Sequence, residues 1–272
     1  MGQSLPELII FFHDAILTAL LTGLILSPVG LYLHLRRGLF LGAALPQLAG
    51  FGFVAAAAFT LPNWLASIAV LVVCACFFAI QPACEDSGLT LEARIGIGYV
   101  VAMAGTILIL ALTGAESHAA QLLLNGNVLA ANCNDVHILT FFGLPLVGFL
   151  LLLRRRLMLV SLDSQMAKVI GINVWFYEGI LFLGLGSAIT LTLTAAGAMA
   201  CFGFLLFPPL TALCLCNRVG YLFLIAPVAA AIGGLLGLIG ALAWDLPAGP
   251  SMVIGLLLTW LTAMTSKKIF KF

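Results

Sequence analysis

The chain has 272 residues, 63% of them hydrophobic and only 8% charged, with a formal net charge of +1. Soluble domains carry about 25% charged residues, so this composition cannot clothe a water-facing surface and excludes a soluble domain. The near-neutral balance, with no acidic or basic tail, argues against a nucleic-acid partner.

In chain order, the start MGQSLPELIIFFHD lacks the basic region of a cleavable signal peptide, so the first apolar run is expected to stay as a span. Apolar runs approaching the thickness of a bilayer core fall at 16–35, 40–61, 64–80, 95–112, 138–153, 174–193, 195–216, 219–242 and 252–265. The expectation is therefore an all-α, polytopic membrane bundle of about nine helices, with eight or ten as alternatives. It forms a single transmembrane domain over residues 1–272. The count is weakest at 174–216, where no charged residue after Glu178 separates two runs. There Gly197 and the Pro208–Pro209 pair are able to break the helix into short or re-entrant pieces, which a membrane tolerates beside a cavity or inside protein.

With the N-terminus outside and nine spans, all eleven Lys and Arg fall on the cytoplasmic side: Arg36, Arg37, Arg94, Arg154 to Arg156, Lys168, Arg218, Lys267, Lys268 and Lys271. The external segments hold Glu7, Glu116, Asp135 and Asp245 and no basic residue. This asymmetry sets the N-terminus outside and the C-terminus in the cytoplasm, provided that 174–216 crosses an even number of times. Trp64 and Trp244 beside two short external turns suit an interfacial depth. Gly233, Gly237 and Gly240 form a small-residue face for close helix packing.

The longest polar interruption of the second half is the segment 154–178, RRRLMLVSLDSQMAKVIGINVWFYE. Within it Asp163, Ala167 and Gly171 recur every four residues, which on a helix gives one nearly bare face able to approach another protein closely. A docking element is one reading; an ordinary cytoplasmic loop with a short helix is the other.

Chemistry is scarce. The chain encodes no H-E-x-x-H, no G-x-S-x-G and no nucleotide-binding glycine loop. Seven cysteines are scattered, and most lie in apolar runs where Cys acts as a small hydrophobe. His13, Asp14 and His34 sit at the ends of the first span. His118 near Glu116, and His137 near Asp135, are external; such pairs suit a cation or a docking protein, but equally a solvated surface. No acid lies at mid-membrane to relay protons. A transporter with neither motor nor relay must borrow its energy, and the Asp163–Gly171 segment then becomes a place to receive force from a soluble ATPase.

Five motifs in order carry a resemblance. They are Arg36-Arg37-Gly38-Leu39-Phe40-Leu41-Gly42, Leu124-Asn125-Gly126-Asn127-Val128-Leu129-Ala130, the Leu162 to Ile172 segment, the stretch from Gly197-Ala198 to Pro208-Pro209-Leu210-Thr211-Ala212, and Asp245-Leu246-Pro247-Ala248-Gly249-Pro250-Ser251. Over nearly its whole length the chain resembles the permease subunits of bacterial ABC importers for zinc, manganese and iron. The resemblance implies an inner-membrane permease without enzymatic activity or bound cofactor. It would work as two copies beside two cytoplasmic ATPase subunits that hold ATP and magnesium, fed by an extracytoplasmic solute-binding protein. It assigns Asp163, Ala167 and Gly171 to the ATPase-coupling helix and the region of Gly197 and Pro208 to the translocation path.

One departure stands out. Where the family places D-x-[LI]-[AS]-H after the arginines, this chain reads Ala43-Ala44-Leu45-Pro46-Gln47. An acid and an imidazole four residues apart would hold a borderline divalent metal on one helix face. Ala43 offers nothing, Gln47 only an amide oxygen, and Pro46 is able to kink the span. Either the cation passes without strong pore ligands, which is the preferred expectation, or the cargo is a chelate or another small solute. Glu116 and His118 are the remaining weak metal candidates.

Overall fold

A computed structural model describes residues 12–36, 38–58, 91–113, 128–216 and 218–270. The 64–80 run, Glu116, His118, Arg37 and the cysteines Cys74, Cys76 and Cys84 lie outside these residues. Among the described residues all regular structure is helical: α1 (His13–Leu35), α2 (Leu39–Ala58), α3 (Leu91–Thr113), α4 (Cys133–Ile138), α5 (Leu144–Leu152), α6 (Arg154–Leu162), α7 (Ser164–Val169), α8 (Val174–Leu215), α9 (Val219–Trp244) and α10 (Ala248–Phe270). A π-helical turn, Leu139–Gly143, joins α4 to α5. Six helical stretches among the described residues are long and apolar enough to cross a bilayer, and Phe40–Ala56 is a shorter apolar helix. The molecule is a multi-pass membrane protein.

α1 is the hub. It packs on α8 and α9, while α9 and α8 both pack on α10 and α2 packs on α3. Side-chain contacts give the directions. Tyr32 meets Phe223 (ring centroids 5.3 Å), and Gly23 faces Ala230, so α1 and α9 run antiparallel. The Tyr32 hydroxyl donates to the Leu150 carbonyl at 3.3 Å, and Gly143 faces Ile25, so α5 runs parallel to α1. Gly105 lies on Phe51 while Ile95 sits near Leu41, so α2 and α3 are parallel. One end therefore gathers Arg36, Arg154 to Arg156, Arg218 and Lys267, and the other holds His13, Asp14, Asp135 and Asp245.

α8 settles the ambiguity at 174–216. Its 42 residues would make a rod of roughly 63 Å, twice a bilayer core of about 30 Å. Gly197, with φ 80° and ψ 163°, breaks it. Thr192 Oγ1 and Cys201 Sγ lie 3.4 Å apart, although nine residues of straight helix span about 13.5 Å. The first arm runs antiparallel to α1, pairing Glu178 with Arg36. The second runs parallel to α10, placing Gly203 on Val253 and Phe207 near Trp260. The segment thus makes two arms that run in opposite directions. That backbone region is open essentially to glycine alone, so Gly197→Ala is expected to cost about 1–3 kcal/mol, read as a lower thermal midpoint in detergent.

The small-residue face of α9 is narrower than the sequence suggests. A Cβ at Gly233 would press on Leu256, and one at Gly237 would overlap the Met252 backbone, but Gly240 faces only the Trp244 ring edge at 3.5 Å. Gly255 of α10 completes the contact, set against Gly233 and Gly237.

Candidate functional site

Two features stand out, a cavity along the bundle and a short helix at its basic end. The cavity, about 770 Å³, opens between α2, α3 and the start of the second arm of α8. Ala43 and Gln47, one turn apart on α2, both line it, as do Ala198 and Met199 immediately after the Gly197 break. Gln47 and Ala198, 151 residues apart in sequence, thus meet at one cavity. Pro46 is buried in α2 and Pro208 is buried in the second arm; neither is among the residues lining the cavity. Pro209, beside Pro208, instead abuts α1 at Gly30.

The wall that sequence reasoning missed is α3, which contributes Gly96, Tyr99, Met103 and Thr106. These are spaced three, four and three residues apart, the rhythm of a single helix face, and they are small, soft or polar within an otherwise aliphatic run. That rhythm was the available signal. The Thr106 hydroxyl donates to the Ala102 carbonyl of its own helix at 2.8 Å, leaving the Gln47 amide, the Tyr99 hydroxyl and the Met103 and Met199 thioethers as the polar or soft groups of the lining. Among the described residues no cluster of three His, Cys, Asp or Glu side chains exists that could hold a metal ion. The described lining is therefore neutral, with the Gln47 amide oxygen, the Tyr99 hydroxyl and two soft sulfurs, Met103 and Met199, as potential donors. Val100 and Ile107 complete that wall, and away from the cavity α3 is bare, with Val101 and Leu108 each 62% exposed.

At the basic end, α6, α7 and the start of α8 build the second feature. Asp163 is the N-cap of α7: its carboxylate accepts from the backbone N–H of Gln165 (3.0 Å) and Met166 (2.9 Å). Gly171, with φ 84°, ends the same helix. Its N–H donates to Lys168 and that of Ile172 to Ala167, both at 3.0 Å, the paired bonds of a Schellman stop. Only Ala167 of the three lies within the helix, and it is fully buried against the protein. The four-residue spacing is thus a cap, a packing contact and a stop, not one bare face. The exposed side carries Met166 (55%), Val169 (84%) and Ile170 (59%), a compact apolar knob held by two caps.

The first turns of α8 tie this feature to the bundle. Asn173 caps α8 by accepting from the Phe176 N–H at 3.3 Å. Arg156 donates to the Tyr177 hydroxyl and lies over its ring. Arg36, at the end of α1, pairs with Glu178 and lies 5.4 Å from the Phe182 ring centroid. Burial pulls the Arg36 guanidinium below its ordinary value and the Glu178 carboxylate works the other way; the group stays cationic at any physiological pH.

The remaining sequence candidates are peripheral. His13 is exposed beside Asp14, and His34 bonds the Gly30 carbonyl through Nδ1 at 3.0 Å. His137 bonds the carbonyl of Cys133 at 2.7 Å within its own turn. Cys201 is buried, Cys214 and Cys216 are half-buried, and none of them is in a disulfide.

The described residues thus form a helical membrane bundle with a neutral cavity and a doubly capped short helix at its cation-rich end. The chain belongs to the ABC 3 transport family, whose model matches residues 9–267. It is 26% identical over 245 residues to the manganese transport system membrane protein MntC of Halalkalibacterium halodurans, covering 90% of this chain and 83% of that one. It is 25% identical over 245 residues to the chelated iron transport system membrane protein YfeD of Yersinia pestis, covering 90% and 81%. In fold it is similar to the structure of PsaBC from Streptococcus pneumoniae in complex with Fab, with a TM-score of 0.82, 21% identity and 95% of each chain covered.

Proposed function

We propose that this chain is the membrane half of an ATP-driven importer of a divalent transition-metal ion, zinc, manganese or iron, in the bacterial inner membrane. Two copies pair with two cytoplasmic ATPase subunits, which carry ATP and magnesium, and an extracytoplasmic solute-binding protein delivers the cargo. The chain itself performs no chemistry and binds no cofactor. The observation that carries this reading is the α7 knob: a short helix, capped at both ends, offering Met166, Val169 and Ile170 outward at the end where the basic residues collect. In this reading that end is cytoplasmic, with the N-terminus outside and the C-terminus inside, which the segregation of Lys and Arg supports. The names of the manganese and iron relatives support the cargo class. In this scheme closure of the ATPase pair moves α7, and the spans rock around the cavity at Ala43, Gln47 and Gly197.

The cavity favours a second cargo within the same architecture. Among the described residues its lining holds no anionic or imidazole donor, and its volume of about 770 Å³ falls in the range of small-molecule sites, which suits a metal chelate. Reconstitution with the ATPase subunit in liposomes decides between them: ATP-dependent accumulation of free Mn²⁺ supports the ion, accumulation only of a chelated metal supports the chelate, and neither overturns the importer. Installing the acid and imidazole, Ala43→Asp with Gln47→His, is expected to lower the KM for a free ion about tenfold while slowing turnover, because tighter ground-state binding must be undone at release. For a chelate KM should not fall.

A further inference from the structure

We propose that Arg36 and Glu178 form the strut through which motion of α7 reaches the cavity, acting as positioning residues that never touch cargo. The inference rests on the importer reading above and adds to it the place where force enters the spans. Among the described residues this is the one ion pair that joins two spans; the other, His13 with Asp14, joins neighbours in sequence. Its side chains are 19% and 17% exposed, in a chain that is only 8% charged. A pair so far removed from water repays its desolvation poorly, and an apolar contact of the same shape would hold two helices at least as well. What an ion pair adds is register: the partners attract at one relative placement, and the attraction fails when the helices slide.

The surroundings supply that placement. Glu178 and Phe182 lie one turn apart on α8, and the Arg36 guanidinium engages both, donating to the carboxylate and lying over the ring. Glu178 belongs to the arm that begins at Asn173, directly after the Gly171 stop of α7, so a displacement of α7 enters α8 at this point. Arg36 caps α1, and α2 begins three residues later, with its first turns lining the cavity at Phe40, Ala43 and Gln47. The far end of the same α8 arm is the Gly197 break, whose next residues line the opposite wall. Both walls therefore start from the strut. A space of about 120 Å³ beside Arg36, bordered by Leu41 and Leu185, leaves room for the guanidinium to move with one helix against the other.

The test uses the full chain assembled with its ATPase subunit in liposomes, following ATP hydrolysis and uptake of radiolabelled Mn²⁺, with a metal chelate as the second probe. Arg36→Gln and Glu178→Gln are each expected to lower uptake per ATP about tenfold while hydrolysis stays within about twofold. The exchanged pair, Arg36→Glu with Glu178→Arg, should recover most of the loss, and Arg36→Lys should fall between. Uptake per ATP equal to wild type in both single variants overturns the strut. So does a fall in uptake, hydrolysis and thermal midpoint together, which marks a mere staple, or an exchanged pair that stays uncoupled. A wild-type complex without ATP-driven uptake of either probe sinks the importer reading itself, and that result is recognisable before any variant is compared.

Discussion

Replacing Val169 and Ile170 together with lysine is expected to abolish ATP-driven uptake while leaving the bundle folded. Val169 is 84% exposed and Ile170 59%, so neither supports the interior; Ala167, fully buried on the same short helix, does that. Lysine at a helix C-terminus is favourable to the helix, which separates loss of docking from loss of structure. The Asp163 cap and the Gly171 stop remain in place. If the two act as hot spots of the interface, each worth about 2 kcal/mol, the paired charged replacements should weaken ATPase binding by roughly a thousandfold. The measurement is co-purification with a tagged ATPase subunit, followed by uptake. Undiminished binding would remove α7 from the interface and with it the scheme in which this knob receives force.

The second large effect is structural. Gly237→Leu should leave little folded protein, because a Cβ there overlaps the Met252 backbone and Gly255 already abuts Gly233 and Gly237 from the other side. Overpacking usually costs about 1–3 kcal/mol, and more where the obstacle is backbone that cannot rotate away. Gly240→Leu is the control. It lies one turn on, meets only the Trp244 ring edge at 3.5 Å, and should match or exceed the wild type, since leucine is the better helix former. Thermal midpoints of the two variants in the same detergent check the contrast, and equal midpoints would contradict the close α9–α10 contact.

Gly240 also shows how far a motif reaches. Three glycines in one run suggest one face, but the crossing of α9 and α10 admits only two of them and recruits Gly255 from the partner helix. The coupling motif behaves alike. Its spacing was visible at Asp163, Ala167 and Gly171, yet the spacing is compatible with a bare helical face or with a cap, a contact and a stop. Backbone angles at Asp163 and Gly171 decide for the second. The cavity was half visible: Ala43 and Gln47 came from a motif, whereas Tyr99 and Met103 did not. In lipid a helix is apolar all round, so hydropathy does not tell which face of α3 turns inward.

What the amino-acid sequence determined by itself is the membrane habitat, the position of most apolar helices and the sorting of charge to one end. These follow from the transfer energy of contiguous segments and from basic residues between them, and both are local quantities. Tertiary structure alone decided that 174–215 folds into two arms, that α2, α3 and α8 enclose a cavity, and that Arg36 meets Glu178. Each depends on contacts between residues far apart in the chain, whose partners only the packed bundle specifies.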